Sequence, residues 1–169
     1  MRLEIVKYPA PVLLQKAKPV TEFDERLKRL VEDMFETMYA ASGVGLAAPQ
    51  VGESLRLFVM DCSSGRDPKQ RVALINPTIV ETAGEQDGDE GCLSFPGLYE
   101  RVSRANQILV QFQDIEGKEH RLEGIQLTAR CVLHENDHLD GKVFLDRMSP
   151  LKRSILQRKI KKLQRDGEW

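Results

Sequence analysis

The 169-residue sequence predicts an α+β fold: short, mostly antiparallel strands packed around a buried helix, with a further helix at the C-terminus. Apolar residues recur at helical spacing in three segments, and the strand-like runs between them form local hairpins with no regular strand-helix alternation. The middle helix is apolar on more than one side, which places it inside. The length suits one domain, residues 1–169, including a basic C-terminal helix at about 150–165.

The first helix is expected from about Asp24 to Ser42, because Leu27, Leu30, Val31, Met34, Phe35 and Met38 share a face. Thr21 or Asp24 can cap its start, and Gly43 can end it in a left-handed conformation. Strand-like runs follow at Arg56 to Asp61, Arg71 to Asn76 and Thr78 to Gly84, with the polar loop Ser63 to Pro68 between the first two. A hairpin is expected from Ile108 to Gln113 and Lys118 to Glu123, turning at Asp114 to Gly117. The middle helix begins near Ile125 and ends at Gly141; Ile125, Leu127, Ala129, Cys131, Val132 and Leu133 make its first half apolar nearly all round. In the third helix Leu151, Ile155, Ile160 and Leu163 roughly form one stripe, and every charged residue from Leu151 to Arg165 is basic.

Composition narrows the function classes. With 25 Lys and Arg against 26 Asp and Glu, a net charge of −1 argues against wholesale binding to nucleic acid, and DNA is not an expected partner. Charges at Arg2, Glu4 and Lys7 interrupt the N-terminus, and no apolar run is long enough for a bilayer, so a cytoplasmic location and no membrane partner are expected. Three cysteines, Cys62, Cys92 and Cys131, are odd in number and widely spaced, which favours free thiols or metal ligands over a disulfide framework.

The middle helix carries His134-Glu135-Asn136-Asp137-His138. Imidazoles four residues apart on a helix share one face and can grip a single metal ion, with the carboxylate of Glu135 close by. A metal lowers the pKa of bound water, and an adjacent Glu can take that proton and pass it on, which equips a site to hydrolyse an amide. Inside a core, two imidazoles and a carboxylate lose hydration unless something such as an ion satisfies them.

A catalytic site of this kind needs a third protein ligand. Cys131 is a poor one, because it stands about 10 Å from His138 along the axis at roughly 1.5 Å rise per residue. His120 sits among charged residues in a hairpin, where a solvated role is expected. Downstream, Gly141 fits one protease pattern, but Phe144 stands where that pattern has its third His. Upstream, Glu90-Gly91-Cys92-Leu93-Ser94-Phe95-Pro96-Gly97 frames Cys92 with turn formers, and taken alone Cys92 could equally be a core thiol.

Together with Gly43-Val44-Gly45-Leu46-Ala47-Ala48-Pro49-Gln50, the two segments make the chain resemble the peptide deformylases, which remove the formyl group from the N-terminal methionine of new polypeptides. Three separated motifs in order carry the resemblance over nearly the whole length. It implies Cys92, His134 and His138 as metal ligands, Glu135 as general acid and base, and the Gln50 amide with the Leu93 backbone N–H as oxyanion donors. It further implies that Val44, Gly45 and Gly91 offer backbone groups to N-formyl-methionyl peptides. Val44, Leu93, Leu127 and Cys131 are expected to line the methionine pocket. One divalent ion is implied, Fe(II) natively, with Zn(II), Ni(II) or Co(II) as substitutes. Glu90 is expected to orient a ligating imidazole.

Arg130 and Leu133 depart from the family's usual pattern, and Arg130 is expected to rim the methionine pocket and bias the next substrate positions. The basic C-terminal helix is either a solvated face or a handle for the ribosome. Two other classes fit parts of the sequence: a zinc metalloendopeptidase, disfavoured by the missing downstream ligand, and a structural metal domain that binds RNA through its basic tail.

Overall fold

Leu57, Phe58, Val59 and Met60 are all buried, an unbroken apolar run suited to a strand covered on both faces. The computed structural model describes residues 1–169. Its strands are β1 (Gly45–Ala47), β2 (Leu57–Met60), β3 (Val72–Ala83), β4 (Gln86–Gly91), β5 (Tyr99–Arg104), β6 (Gln107–Gln113) and β7 (Glu119–Ile125). The helices are α1 (Glu25–Ala40), α2 (Gln126–Leu139) and α3 (Pro150–Arg165). Five strands form one antiparallel sheet in the order β1-β2-β3-β6-β7, while β4 and β5 pair separately. The expected α+β class is the one observed.

Alternation along β2 divides the core. Phe58 and Met60 pack with Ala129, Cys131, Val132 and Leu139 of α2, and Leu57 and Val59 pack with Leu27, Val31, Met34, Phe35 and Met38 of α1. A third cluster joins Phe95, Leu98 and Val102 to Phe144, Leu156 and Ile160, so it ties the β4–β5 region to α3. Membrane-spanning length and apolarity are found in no helix.

Helix limits follow from their caps. The Asp24 side chain accepts from Leu27 N at 3.0 Å, and the left-handed residue after α1 is Ser42 (φ 57°), not the expected Gly43. β7 runs into α2 without a loop, through Gln126 at φ 53°, which fixes where the pentad helix starts. At its other end the Leu139 carbonyl accepts from Arg56 Nη1 and Ala17 N, both at 2.8 Å. Gly141 then turns the chain at φ 73°, with its would-be Cβ 2.8 Å from the Gln15 carbonyl carbon. Gly141→Ala is therefore expected to lower the unfolding free energy by about 1–3 kcal/mol, readable as a lower midpoint in urea.

The structure departs from the sequence expectations in several places. The runs at Arg71 and Thr78 are one strand, β3, with register irregularities between Ile75 and Thr78 and between Ile79 and Glu81; Pro77 sits at the first of these and does not break the strand. β4 and β5 were not expected, since Gln-Asp-Gly-Asp-Glu-Gly has little strand propensity and is held by its pairing with β5. On α3 the buried pair is Leu156 and Ile160, whereas Leu151 and Ile155 of the expected stripe are exposed. Ile125 and Leu127, at the start of α2, are exposed too.

Candidate metal centre and active site

One turn of α2 separates His134 from His138, and both rings look toward the β4–β5 region, where Cys92 waits just after β4. The loop that carries Cys92 is fixed at several points. Phe95 N donates to the Cys92 carbonyl at 2.9 Å, and Tyr8 N donates to the Ser94 carbonyl at 2.9 Å. The fully buried Phe95 ring stacks on Tyr8 and meets Phe144 edge-on, each with centroids 4.8 Å apart. This anchoring places Cys92 Sγ 3.3 Å from His138 Nε2. One ligand atom from each of Cys92, His134 and His138 falls within 4.8 Å of the others.

The donor set fits a single divalent ion. His134 Nδ1 is engaged by Glu90 Oε1 at 2.7 Å, which leaves Nε2 to face the other donors. Burial, reinforced by His134, pushes His138 down to about 3, so its ring is neutral at pH 7 with a lone pair to offer. Burial also works to lower His134, but Cys92 and Glu90 override it and hold that ring well above its ordinary value. A thiol and two imidazoles gathered in a largely buried corner are the makings of a zinc- or iron-type site.

Behind the histidines lies a charge network of which the sequence reading anticipated only Glu90, beside His134. Arg104 grips Glu90 with Nε and Nη2 at 2.8 and 2.9 Å, and reaches Asp137 with Nη1 at 2.6 Å. Arg147 forks onto Asp137 at 3.0 and 2.7 Å. Burial works to raise the Glu90 carboxyl, but hydrogen bonds from Arg104 and His134 hold it at about 2. A signal was there to find: Val102 and Arg104 alternate on β5, so the pleat turns both inward. Asp137 likewise lies one turn after His134 on the packed helix.

Arg130 belongs to this network as well as to the wall of the cavity beside the histidines. It lines the cavity, yet the side chain is buried and Nη1 donates to Glu90 Oε2 at 2.6 Å, to the Val102 carbonyl at 3.0 Å and to the Gly88 carbonyl at 3.3 Å. Its charge is thus directed into the wall and away from solvent. His120 is where it was expected, half-exposed on the β6–β7 hairpin and paired with Asp114 at 2.7 Å.

In front of the histidines is a cavity of about 340 Å³. Val44, Gly45, Gln50, Gly91, Cys92, Leu93, Leu127, Cys131, His134 and Glu135 all line it, so the structure gathers the expected site residues from four separate elements. His138 alone of that set lies behind the lining. The Gln50 side chain is buried and fixed at both ends: Oε1 accepts from Ala47 N at 2.9 Å, while Nε2 donates to Ser94 Oγ at 3.1 Å and points at Cys92 Sγ at 3.5 Å. Glu135 is buried with Oε1 lacking any partner, and burial pushes its carboxyl up to about 7. Gly45 makes the closest approach: a Cβ there would stand 2.7 Å from Glu135 Oε2 and 2.9 Å from Cys131 Sγ.

The polypeptide deformylase family model matches residues 2–154. The chain is 52% identical over 165 residues to a peptide deformylase of Acidobacterium capsulatum, covering 98% of this chain and 97% of that protein. Among solved structures it is similar to a peptide deformylase from Legionella pneumophila, with TM-score 0.91 and 47% identity over 99% of this chain and 98% of the other. Similarity to the enzyme from Thermus thermophilus is comparable, with TM-score 0.88 and 47% identity over 96% of each chain.

Proposed function

Because the chain belongs to the polypeptide deformylase family, and so removes the formyl group from the N-terminal formyl-methionine of new polypeptides, we propose a role for each site residue. Cys92, His134 and His138 hold one divalent ion. The observation that carries this is the convergence of their ligand atoms within 4.8 Å beside a buried, unpartnered carboxylate. When bound, the ion supplies Lewis acidity toward the formyl oxygen and acidifies water toward neutral pH.

Glu135 takes the proton from the attacking water and returns it to the departing amine. A carboxyl that burial pushes up to about 7 can do both near neutrality. Gln50 Nε2 and the Leu93 backbone N–H receive the negative charge that grows on the formyl oxygen; Gln50 is pre-aimed, since Ala47 N holds its other end. Val44, Gly45 and Gly91 offer backbone to an extended peptide. Leu127 and Cys131 shape the methionine pocket, with half-exposed Leu127 at its mouth. Gly45→Ala, which sets a methyl against Glu135 and Cys131, is expected to lower kcat/KM by about 10²-fold with metal content unchanged.

The native ion in this reading is Fe(II), with Zn(II), Ni(II) or Co(II) as substitutes. Metal analysis of anaerobically purified protein, coupled to deformylation of formyl-Met-Ala, tests it: one iron per chain with turnover supports the assignment, and metal-free activity overturns it. Residues 1–169 act as one cytoplasmic catalytic unit that binds no membrane. The exposed side chains of Arg158, Lys159, Lys161 and Lys162 on α3 are a handle for the ribosome. Because Leu156 and Ile160 pack beside Phe95, charge reversal of those lysines is a cleaner test than deleting the helix. Salt-sensitive co-sedimentation with ribosomes that survives the reversal counts against the handle.

A further inference from the structure

Trp169, the one tryptophan of the sequence, stands just beyond α3 and outside the residues that the family model matches. Its place is set by the way α3 stops. Gly167 takes φ 72° and Glu168 N returns to the Leu163 carbonyl at 2.8 Å, so the chain turns back along the helix. The half-buried indole then packs against the cluster around Phe95, as Tyr8 and Cys92 do. It meets the Phe95 ring edge-on with centroids 6.2 Å apart, and its Nε1 donates to the Tyr8 carbonyl at 2.7 Å. Residues 6–8 in turn touch both loops of the site: Val6 N donates to the Gln50 carbonyl at 2.8 Å, and Tyr8 N donates to the Ser94 carbonyl at 2.9 Å. Ser94 is fully buried and its hydroxyl accepts from Gln50 Nε2 at 3.1 Å. Gln50 and Ser94 are thus joined twice, once directly and once through residues 6–8.

We propose that Trp169 is a positioning residue for deformylation: by holding Tyr8 and Phe95 it fixes residues 6–8 as a strap across the two loops, and so sets the spacing of the Gln50 amide and the Leu93 N–H. This rests on the oxyanion roles given above to those two groups. One donor comes from each loop, and Leu93 lies between Cys92 and Ser94, so the spacing of the donors is the spacing of the loops. Trp169 itself touches no reacting atom. Charge on the formyl oxygen is complete only in the transition state, so misplaced donors slow the chemical step and leave substrate binding nearly unchanged. Outright loss of one such donor costs about 10²–10³-fold in kcat. Trp169 acts through Tyr8 and Phe95 and removes neither donor, which makes the expected loss smaller, about tenfold.

The experiment compares zinc-loaded wild type, Trp169→Ala and Trp169→Phe in deformylation of formyl-Met-Ala, with bound zinc measured in each. Amide hydrogen exchange is followed in parallel over residues 92–98 of the metal-free proteins, where Phe95 N and Leu98 N are bonded within the loop. Trp169→Ala is expected to lower kcat about tenfold with KM within about twofold, to keep its zinc, and to exchange faster over residues 92–98. Trp169→Phe keeps an aromatic edge against Phe95 but lacks the N–H that Tyr8 accepts, so it should fall between the two in both readouts. A Trp169→Ala enzyme with kcat within about twofold of wild type overturns the proposal, as does a loss of rate with unchanged exchange or one explained by released zinc. Trp169→Phe indistinguishable from wild type in rate and exchange overturns it equally, and decides the matter if Trp169→Ala does not fold. A wild type without turnover would instead fail the catalytic assignments, while exchange over residues 92–98 still reports on Trp169.

Discussion

Glu135→Gln is expected to lower kcat for formyl-Met-Ala by about 10²–10⁴-fold while one metal ion per chain is retained. Gln keeps the size and shape of the side chain and removes only its ability to take and return a proton. Glu135 is not one of the three residues whose donor atoms converge, so the ion's ligands are untouched. Its carboxylate also supports little else, since Oε1 has no partner and burial penalises the charge. A neutral amide at that position sheds this desolvation penalty, and thermal stability should hold or rise slightly. Steady-state kinetics beside metal analysis separate the two effects. A variant that keeps more than about a tenth of the wild-type kcat would remove Glu135 from the proton path.

Why the pentad was legible and its surroundings were not follows from chain geometry. His134, Glu135 and His138 sit on one helix, where spacing alone fixes which side chains share a face. Cys92 is 46 residues from His138, and no periodicity reports a contact at that range; only the resemblance joined them. The hairpin of β6 and β7 and the three helices were visible in periodicity to within two residues or so at most ends. β4 was not, because its strand state depends on pairing with β5 and its own residues favour turns. α3 offers two apolar i, i+4 pairs, Leu151 with Ile155 and Leu156 with Ile160; the choice between them is made by the cluster around Phe95, which lies far off in sequence. Arg130 was expected at the pocket rim because it departs from the family's usual pattern, and that departure says nothing of its partners. Here three acceptors from β4 and β5 draw it inward, a contact that local sequence does not record.

Arg104→Met is expected to cost about 3–5 kcal/mol of unfolding free energy at pH 7, the range for removing one member of a buried charge pair. Methionine fills much of the space but leaves the Glu90 and Asp137 carboxylates facing each other across it, with Arg130 and Arg147 left to offset them. Acid dependence identifies the cause. In the wild type Glu90 is held at about 2, below its ordinary 4.5, so its contribution is complete above about 4.5 and is lost as pH falls toward 2; the gap corresponds to about 3 kcal/mol. Without Arg104 the burial of Glu90 is opposed by fewer partners, its folded pKa rises, and stability should fall less steeply over that interval. Urea titrations of metal-free protein at several pH values measure both, and metal affinity at pH 7 reports whether His134 has lost the carboxylate that orients it. A loss below about 1 kcal/mol, as for an exposed pair, would place Arg104 outside the support of the site and return the orientation of His134 to Glu90 and Arg130 alone.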